Sequence, residues 1–248
     1  MKKILAILFL LSVLLSLHVR AQVSLTYQKP SKEILDLVDV SLAPSVLISD
    51  NKDFMIFLYR ESFKSIEDLS KEELRLAGLR IDPNTNIGSR VNYYNNLEIK
   101  KRSNSKLIKI KGLPDNPKLS NFSFSPDQKK ISFTNTTNFG VEIWVFDLSS
   151  VSLKKITDAK INANLGDVIN WFEDSEAILV KMIPDKKLDL VDTKKNIPIG
   201  PIISINDGKK AQNRTYQDLL KNKTDELNFE QLALSELYRI DLKGTKRL

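Results

Sequence analysis

The chain has 248 residues, with 38 Lys and Arg against 31 Asp and Glu, one His and no Cys. Without cysteine there are no disulfides, thiolate nucleophiles, Cys-ligated zinc sites or iron–sulfur clusters. The one histidine, His18, sits in an apolar N-terminal stretch.

Met1 to Gln22 has the layout of a secretory signal. Lys2 and Lys3 form a basic start, Ile4 to Leu17 is almost wholly apolar, and Val19 and Ala21 give small residues before a cut. The apolar run of about 14 residues is shorter than the roughly 20 needed to cross a bilayer as a helix. The expectation is therefore an exported chain, periplasmic or extracellular, with residues 1–21 removed and no membrane anchor afterwards. No Cys follows for a lipid anchor. Removing 1–21 takes away Lys2, Lys3, Arg20 and His18, so the charge falls from +7 to +4 and no imidazole remains. A Ser-His-Asp triad and any His-containing metal site are then excluded. A charge of +4 with scattered lysines is ordinary surface charge, and no nucleic-acid partner is expected. The densest basic cluster, Lys100-Lys101-Arg102, reads as a hairpin turn.

From residue 46 the pattern is short strands separated by polar turns. Val46–Ile48 and Phe54–Tyr59 flank Ser49-Asp50-Asn51-Lys52-Asp53, where Asn and Asp tolerate a left-handed backbone. Ser70 with Glu73 reads as a capping box opening a short helix through Leu74, Leu76 and Ala77 to a stop at Gly78. Leu97–Lys100 and Leu107–Lys111 partly alternate apolar with charged residues, as half-exposed strands do. Phe122 to Thr157 then holds four strands in succession, the first turn being Ser125-Pro126-Asp127, with Pro126 presetting φ. Val168–Val180 repeats the unit of strand, Asp-centred turn and strand about 47 residues later, and Glu236–Gly244 echoes Glu142–Ser149. A period of 40–50 residues in four-strand units marks a β-propeller rather than a generic sandwich. Thr215–Lys221 and Asp225–Ala233 read as a second helical insertion. The expected fold is mainly β: a partial β-propeller of about three to four antiparallel four-stranded blades with short helical insertions. Its divisions are a signal over 1–21, a lead-in over 22–45 and an incomplete propeller over 46–248.

These residues resemble the N-terminal propeller of secreted bacterial peptidases of the prolyl oligopeptidase family, in the branch similar to glutamyl endopeptidases. Ser125-Pro126-Asp127 followed by Ile143-Trp144-Val145-Phe146-Asp147-Leu148 is shared by many propellers, including the TolB type. Three stretches narrow the likeness: Leu79–Arg90 with Tyr93-Tyr94, Ile197–Pro201, and Asn213–Lys221 followed by Asp225-Glu226. The resemblance implies a propeller that filters substrates over a C-terminal α/β-hydrolase domain carrying the nucleophilic Ser, Asp and His. No Gly-x-Ser-x-Gly elbow occurs in the sequence, so no catalytic residue is assigned. The expected partners are a peptide substrate in the intact enzyme and the hydrolase domain. A free-standing periplasmic scaffold of the TolB type is the alternative.

Arg90 and Arg214, both in the branch-like stretches, are the candidate substrate-binding residues, since a buried guanidinium can hold a carboxylate bidentately. A propeller salt bridge is the structural alternative for each. Asp225, Glu226 and Glu230 resemble an acidic helix that grips peptide N-termini, although acids also suit a helix start. No cofactor is expected: the eight glycines form no phosphate loop, Asp192-Thr193-Lys194 lacks the glycine of an aspartic-peptidase loop, and Asp50–Asp53 lacks the Gly and distal Glu of a calcium loop.

Overall fold

The computed structural model describes residues 28–192, 208 and 217–247. The expected signal over 1–21, the stretch Ile197–Pro201 and Arg214 all lie outside them. The chain divides into two compact units at Val40/Ser41. In the first, α1 (Lys32–Val38) follows Ser31 and leaves Ile34, Leu37 and Val38 exposed. All other elements belong to the second unit.

Three four-stranded antiparallel sheets form in chain order. The first runs β1 (Ser45–Ile48), β2 (Phe54–Tyr59), β6 (Asn96–Lys101) and β7 (Asn104–Lys109). The second is β8 (Leu119–Phe124), β9 (Lys130–Thr137), β10 (Gly140–Asp147) and β11 (Ser152–Lys155). The third is β12 (Ile169–Trp171), β13 (Ala177–Met182), β14 (Glu236–Asp241) and β15 (Lys246–Arg247). In each, sequential strands pair as neighbours, so each sheet is one blade and the fold is a partial β-propeller. Apolar residues alternate along the strands and the blades stack on them. Ile56, Leu58, Leu97 and Ile99 of blade 1 meet Leu119, Ile131, Phe133 and Phe146 of blade 2 in one buried cluster. Val141, Ile143 and Val145 of blade 2 meet Ile169, Ile178, Val180 and Ile240 of blade 3 in another.

The turn between the first and second strands is the same device three times. Lys52 N bonds to Ser49 O (2.7 Å), Gln128 N to Ser125 O (2.8 Å) and Ser175 N to Phe172 O (2.9 Å). Lys52, Gln128 and Ser175 all lie in the left-handed region, at φ of 59°, 58° and 58°. An Asn or Asp carboxyl or amide oxygen closes each turn by accepting the next free amide: Asn51 from Asp53 (3.1 Å), Asp127 from Lys129 (3.1 Å), Asp174 from Glu176 (2.9 Å). Within the Asp50–Asp53 stretch, Asn51 Oδ1 is engaged in the turn and Asp53 pairs with Arg102. Neighbouring turns are also bonded to each other: Asp50 N to Gln128 Oε1 (2.8 Å), and Asp127 N to Ser175 Oγ (3.0 Å). Trp171 adds a further link, its indole N–H shared between Ser123 O (3.1 Å) and Ser132 Oγ (3.0 Å) of blade 2. Trp171→Phe is expected to lower stability by about 1 kcal/mol, since Ser132 Oγ loses this donor while Ser123 O still accepts from Ser132 Oγ. Urea unfolding with an unchanged m-value is the measurement.

Antiparallel alternation puts these turns on one face of the blades and the second-to-third strand connections on the other. In blade 2 that connection is the two-residue turn Asn138-Phe139 between β9 and β10. In blades 1 and 3 it is a long insertion, over 60–95 and 183–235. The blade 1 insertion carries α2 (Ile66–Ser70) and a small sheet, β3 (Leu74–Leu76), β4 (Leu79–Asp82) and β5 (Ile87–Gly88). The blade 3 insertion carries α3 (Lys223–Ala233).

Two expectations are corrected here. Ser70 does not cap a helix: Ser65 caps α2, its side chain accepting from Asp68 N, and α2 ends at Ser70. Leu74–Gly78 is a hairpin arm, because Leu74, Arg75 and Leu76 alternate at period two and Ala77-Gly78 (φ 51° and 79°) form a tight primed turn back into β4. Likewise Gln217–Lys221 is not helical, and Asp218 has φ 57°. The helix begins later, where the Asn222 side chain accepts from Asp225 N (2.9 Å).

The blade 1 arm reaches blade 3. Ile87 bridges Ala163 in the connector between blades 2 and 3, Ala163 N bonds to Asn86 O (2.9 Å), and Gly78 N bonds to Asp218 O (3.1 Å). Leu76 and Ile81 of the arm are buried against Leu232, with Phe229, Leu190 and Leu220 packed around them. Among the described residues no helix is long and apolar enough to cross a membrane.

Candidate functional site

The arm carries a concentration of guanidinium groups whose origin is the strand register. Arg75 on β3 and Arg80 on β4 are directly opposite each other. Like charges facing across two strands repel, and Glu73, just ahead of β3, resolves the conflict. Its Oε1 accepts from Arg75 Nε and Arg80 Nη1, both at 2.9 Å. Its Oε2 accepts from Ser89 Oγ (2.7 Å) and Arg90 Nε (3.1 Å). Arg80 also reaches Asp218 of the blade 3 insertion through Nη2 at 3.4 Å. Three guanidinium groups thus surround two carboxylates.

The Ser89 hydroxyl is the largest influence on Glu73; with Arg90, Arg80 and Arg75 it outweighs burial and holds the carboxyl at about 2, against 4.5 ordinarily. A carboxyl lowered by folding adds stability that is full above pH 4.5 and lost as pH falls toward 2. Glu73→Gln is therefore expected to cost about 2 kcal/mol at pH 7, with screening around the exposed arginines allowed for, and almost nothing near pH 2. Denaturant midpoints across that range check it: both chains should fall with acidification, and the gap between them should close as pH approaches 2.

Arg90, singled out from the sequence, is in this cluster. It is not buried: its side chain is 64% exposed and donates through Nε to Glu73. Arg75 is 55% exposed and likewise uses Nε. Among the described residues the outer nitrogens of both forks make no hydrogen bond, which leaves the edge that grips a carboxylate in two places. Arg80, 25% exposed, is the structural anchor. Arg75 and Arg80 were not singled out, although their mirror placement about Ala77-Gly78 is the readable signal. Arg214 lies outside the described residues; Asp218, four positions on, is the tie to Arg80.

A second charged group on the same insertion is Asp68, whose Oδ1 accepts a hydrogen bond from Lys118 Nζ at 2.7 Å and which is held low chiefly by that bond. The acids proposed as an end-gripping helix are partly engaged in capping α3. Asp225 Oδ2 accepts from Lys221 N (2.9 Å) and Glu226 pairs with Lys223 (2.9 Å), while Glu230 is exposed. Asn228, buried in α3, clamps Val191 by both main-chain groups (2.7 and 3.0 Å). The cleft lined by Asp53, Phe54, Lys101, Arg102, Ser103 and Ser149 is at the opposite face, among the turns. Its cations are engaged, Lys101 with Ser149 O (2.7 Å) and Arg102 with Asp53 (3.5 Å). No group of three or more acidic residues among the described residues is placed to hold a metal.

The chain is 31% identical over 233 residues to the Oryza sativa subsp. japonica protein named "Probable glutamyl endopeptidase, chloroplastic", an alignment covering 88% of this chain and 24% of the relative. It is 31% identical over 232 residues to the Arabidopsis thaliana protein of the same name, again over 88% of this chain and 24% of that one. The chain spans about a quarter of the length of these relatives. No protein-family model matches it. Among solved structures it is similar to the Pyrococcus horikoshii acylaminoacyl peptidase, with a TM-score of 0.35 and 17% identity over 66% of this chain and 20% of that one.

Proposed function

We propose that this chain is part of the propeller of an exported serine peptidase of the prolyl oligopeptidase family, in the glutamyl endopeptidase-like branch. In this reading it gates and positions peptides for an α/β-hydrolase module that supplies the catalytic Ser, Asp and His. The observation that carries it is the 31% identity sustained over 88% of the chain with two proteins named as glutamyl endopeptidases. The blades and the arm across one face suit a gate, and the basic run followed by apolar Ile4–Leu17 supports export.

The arginine cluster supports a role in substrate choice. Arg75 and Arg90, whose fork edges have no partner among the described residues, stand beside a fixed Glu73 and match the carboxylate of an acidic side chain. Arg214 is proposed to join them from the neighbouring insertion. The chain alone is expected to hydrolyse nothing.

The test replaces the matching quarter of the Arabidopsis relative with this chain and assays glutamyl peptides. Turnover by the folded chimaera supports the reading. Weaker turnover of acidic peptides by its Arg90→Ala form, with neutral peptides unaffected, supports the role of the cluster. A folded chimaera without turnover, or hydrolysis by the present chain on its own, overturns the proposal.

A further inference from the structure

A cleft of about 510 Å³ opens on the turn face between blades 1 and 2, lined by Asp53, Phe54, Lys101, Arg102, Ser103 and Ser149. Main-chain bonds fix both of its walls. Lys101 pairs directly with Phe54 across β6 and β2, and Arg102 N bonds to Asp53 O at 2.8 Å. On the blade 2 side, Ser149 N bonds to Asp147 Oδ1 at 3.0 Å in the turn after β10. Lys101 Nζ crosses from one wall to the other and donates to Ser149 O at 2.7 Å. Phe54 is half-buried against the cluster shared by blades 1 and 2 and gives the lining its apolar surface.

The charges of this lining do not cancel. Lys101 meets a neutral carbonyl, and no carboxylate among the described residues pairs with it. Arg102, 71% exposed, touches Asp53 through Nη2 alone at 3.5 Å, and its other side-chain nitrogens have no partner among the described residues. The Ser103 and Ser149 hydroxyls have none there either. Two cations against one carboxylate thus bring a guanidinium fork, an ammonium with spare protons and two unused hydroxyls to one cleft. The fork alone would satisfy the two oxygens of a carboxylate. A phosphoryl group has three strong acceptor oxygens and a charge of about −1.5 to −2 at pH 7, so it can use the whole set. Asp53 can only accept, which suits hydroxyl groups carried beside the phosphate.

We infer that this cleft binds a phosphorylated sugar, in which Arg102, Lys101 and the two serines donate to the phosphoryl oxygens and Asp53 accepts from the sugar hydroxyls. Phe54 offers its apolar surface to the C–H face of the ring, and the volume is that of a small-molecule site. The cleft is on the face opposite the arginine cluster. The inference is independent of the peptidase reading and is tested on the present chain, so either can fail alone.

The test follows backbone amide signals of the full chain during titration with glucose 6-phosphate, inorganic phosphate, acetate and glucose. Saturable shifts are expected at Phe54, Lys101, Ser103 and Ser149, with glucose 6-phosphate roughly fivefold or more tighter than inorganic phosphate, the worth of one further hydrogen bond. Acetate and glucose should bind more weakly than either. Arg102→Gln and Lys101→Met should each weaken glucose 6-phosphate by roughly fivefold or more, and Arg102→Lys should retain part of the binding. Asp53→Asn should narrow the gap between glucose 6-phosphate and inorganic phosphate, since that carboxylate repels the phosphate and holds the sugar. Competition by vesicles of monophosphoryl lipid A would assign the ligand to a lipid headgroup, and competition by the soluble sugar phosphate alone to a free one. If Arg102→Gln does not fold, Ser149→Ala should still bind glucose 6-phosphate more weakly than the parent. Unsaturable shifts, acetate or inorganic phosphate binding as tightly as glucose 6-phosphate, or undiminished binding by folded Arg102→Gln and Lys101→Met would each overturn the assignment.

Discussion

Gly140→Ala is expected to be among the most damaging single substitutions in the chain, lowering stability by roughly 3 kcal/mol or more, as changes forced against main chain do. Gly140 follows the two-residue turn that joins β9 to β10 and has φ of 140°. A Cβ there would stand 2.4 Å from Ala159 O and 3.2 Å from Ala159 C. These are main-chain atoms of the segment that hands blade 2 on to blade 3, and no rotamer change relieves the clash. Nearby, Ile161 N bonds to Val141 O at 3.1 Å, so displacing that segment breaks the blade's pairing with its connector. The conformation is also one that residues with a Cβ rarely adopt. A melting-temperature drop of about 6–12 °C is expected for a chain of this length. A variant melting within a degree of the parent would show that the connector yields freely.

Phe133→Ala should cost about 3–5 kcal/mol, the range for emptying a buried aromatic site. Phe133 is 0% exposed, and it joins two blades rather than filling one. It lies in the cluster with Ile56, Leu58, Leu97 and Ile99 of blade 1, and its ring is 5.3 Å from that of Phe122, which in turn meets Tyr94 edge-on at 5.7 Å. Both faces of the resulting cavity are sheets held by their own ladders, so neither can collapse inward to refill it. Denaturant unfolding checks the size. Hydrogen exchange tests the location: amides of blade 1 should lose protection before those of blade 3.

The blades were readable because their signals are local. Asn51, Asp127 and Asp174 each close a turn with their own side chain, and the flanking strands alternate or run apolar over enough residues to fix a period. The β3–β4 arm escaped because each strand has only three or four residues, too few for Leu74-Arg75-Leu76 to look different from a helical stripe. With Ser70-x-x-Glu73 reading as a cap, Gly78 falls naturally into the role of a stop. The arginine cluster escaped for a related reason. Arg90 stood out within a family-like stretch, whereas Arg75 and Arg80 become neighbours only when Ala77-Gly78 fold them face to face. Glu73 acquires its depressed pKa only after that register exists.

The arm from blade 1 to blade 3 changes how damage spreads. A row of repeats joined only to their nearest neighbours frays from whichever end is weaker, one module after another. Here Gly78 and Asn86 of the first module are bonded to Asp218 and Ala163 beside the third, skipping the second. That makes a loop of couplings in place of a line, so neither terminal module can peel away without also breaking a bond to the opposite one. Pulling the chain from its two ends should therefore give one dominant rupture and not a staircase of three.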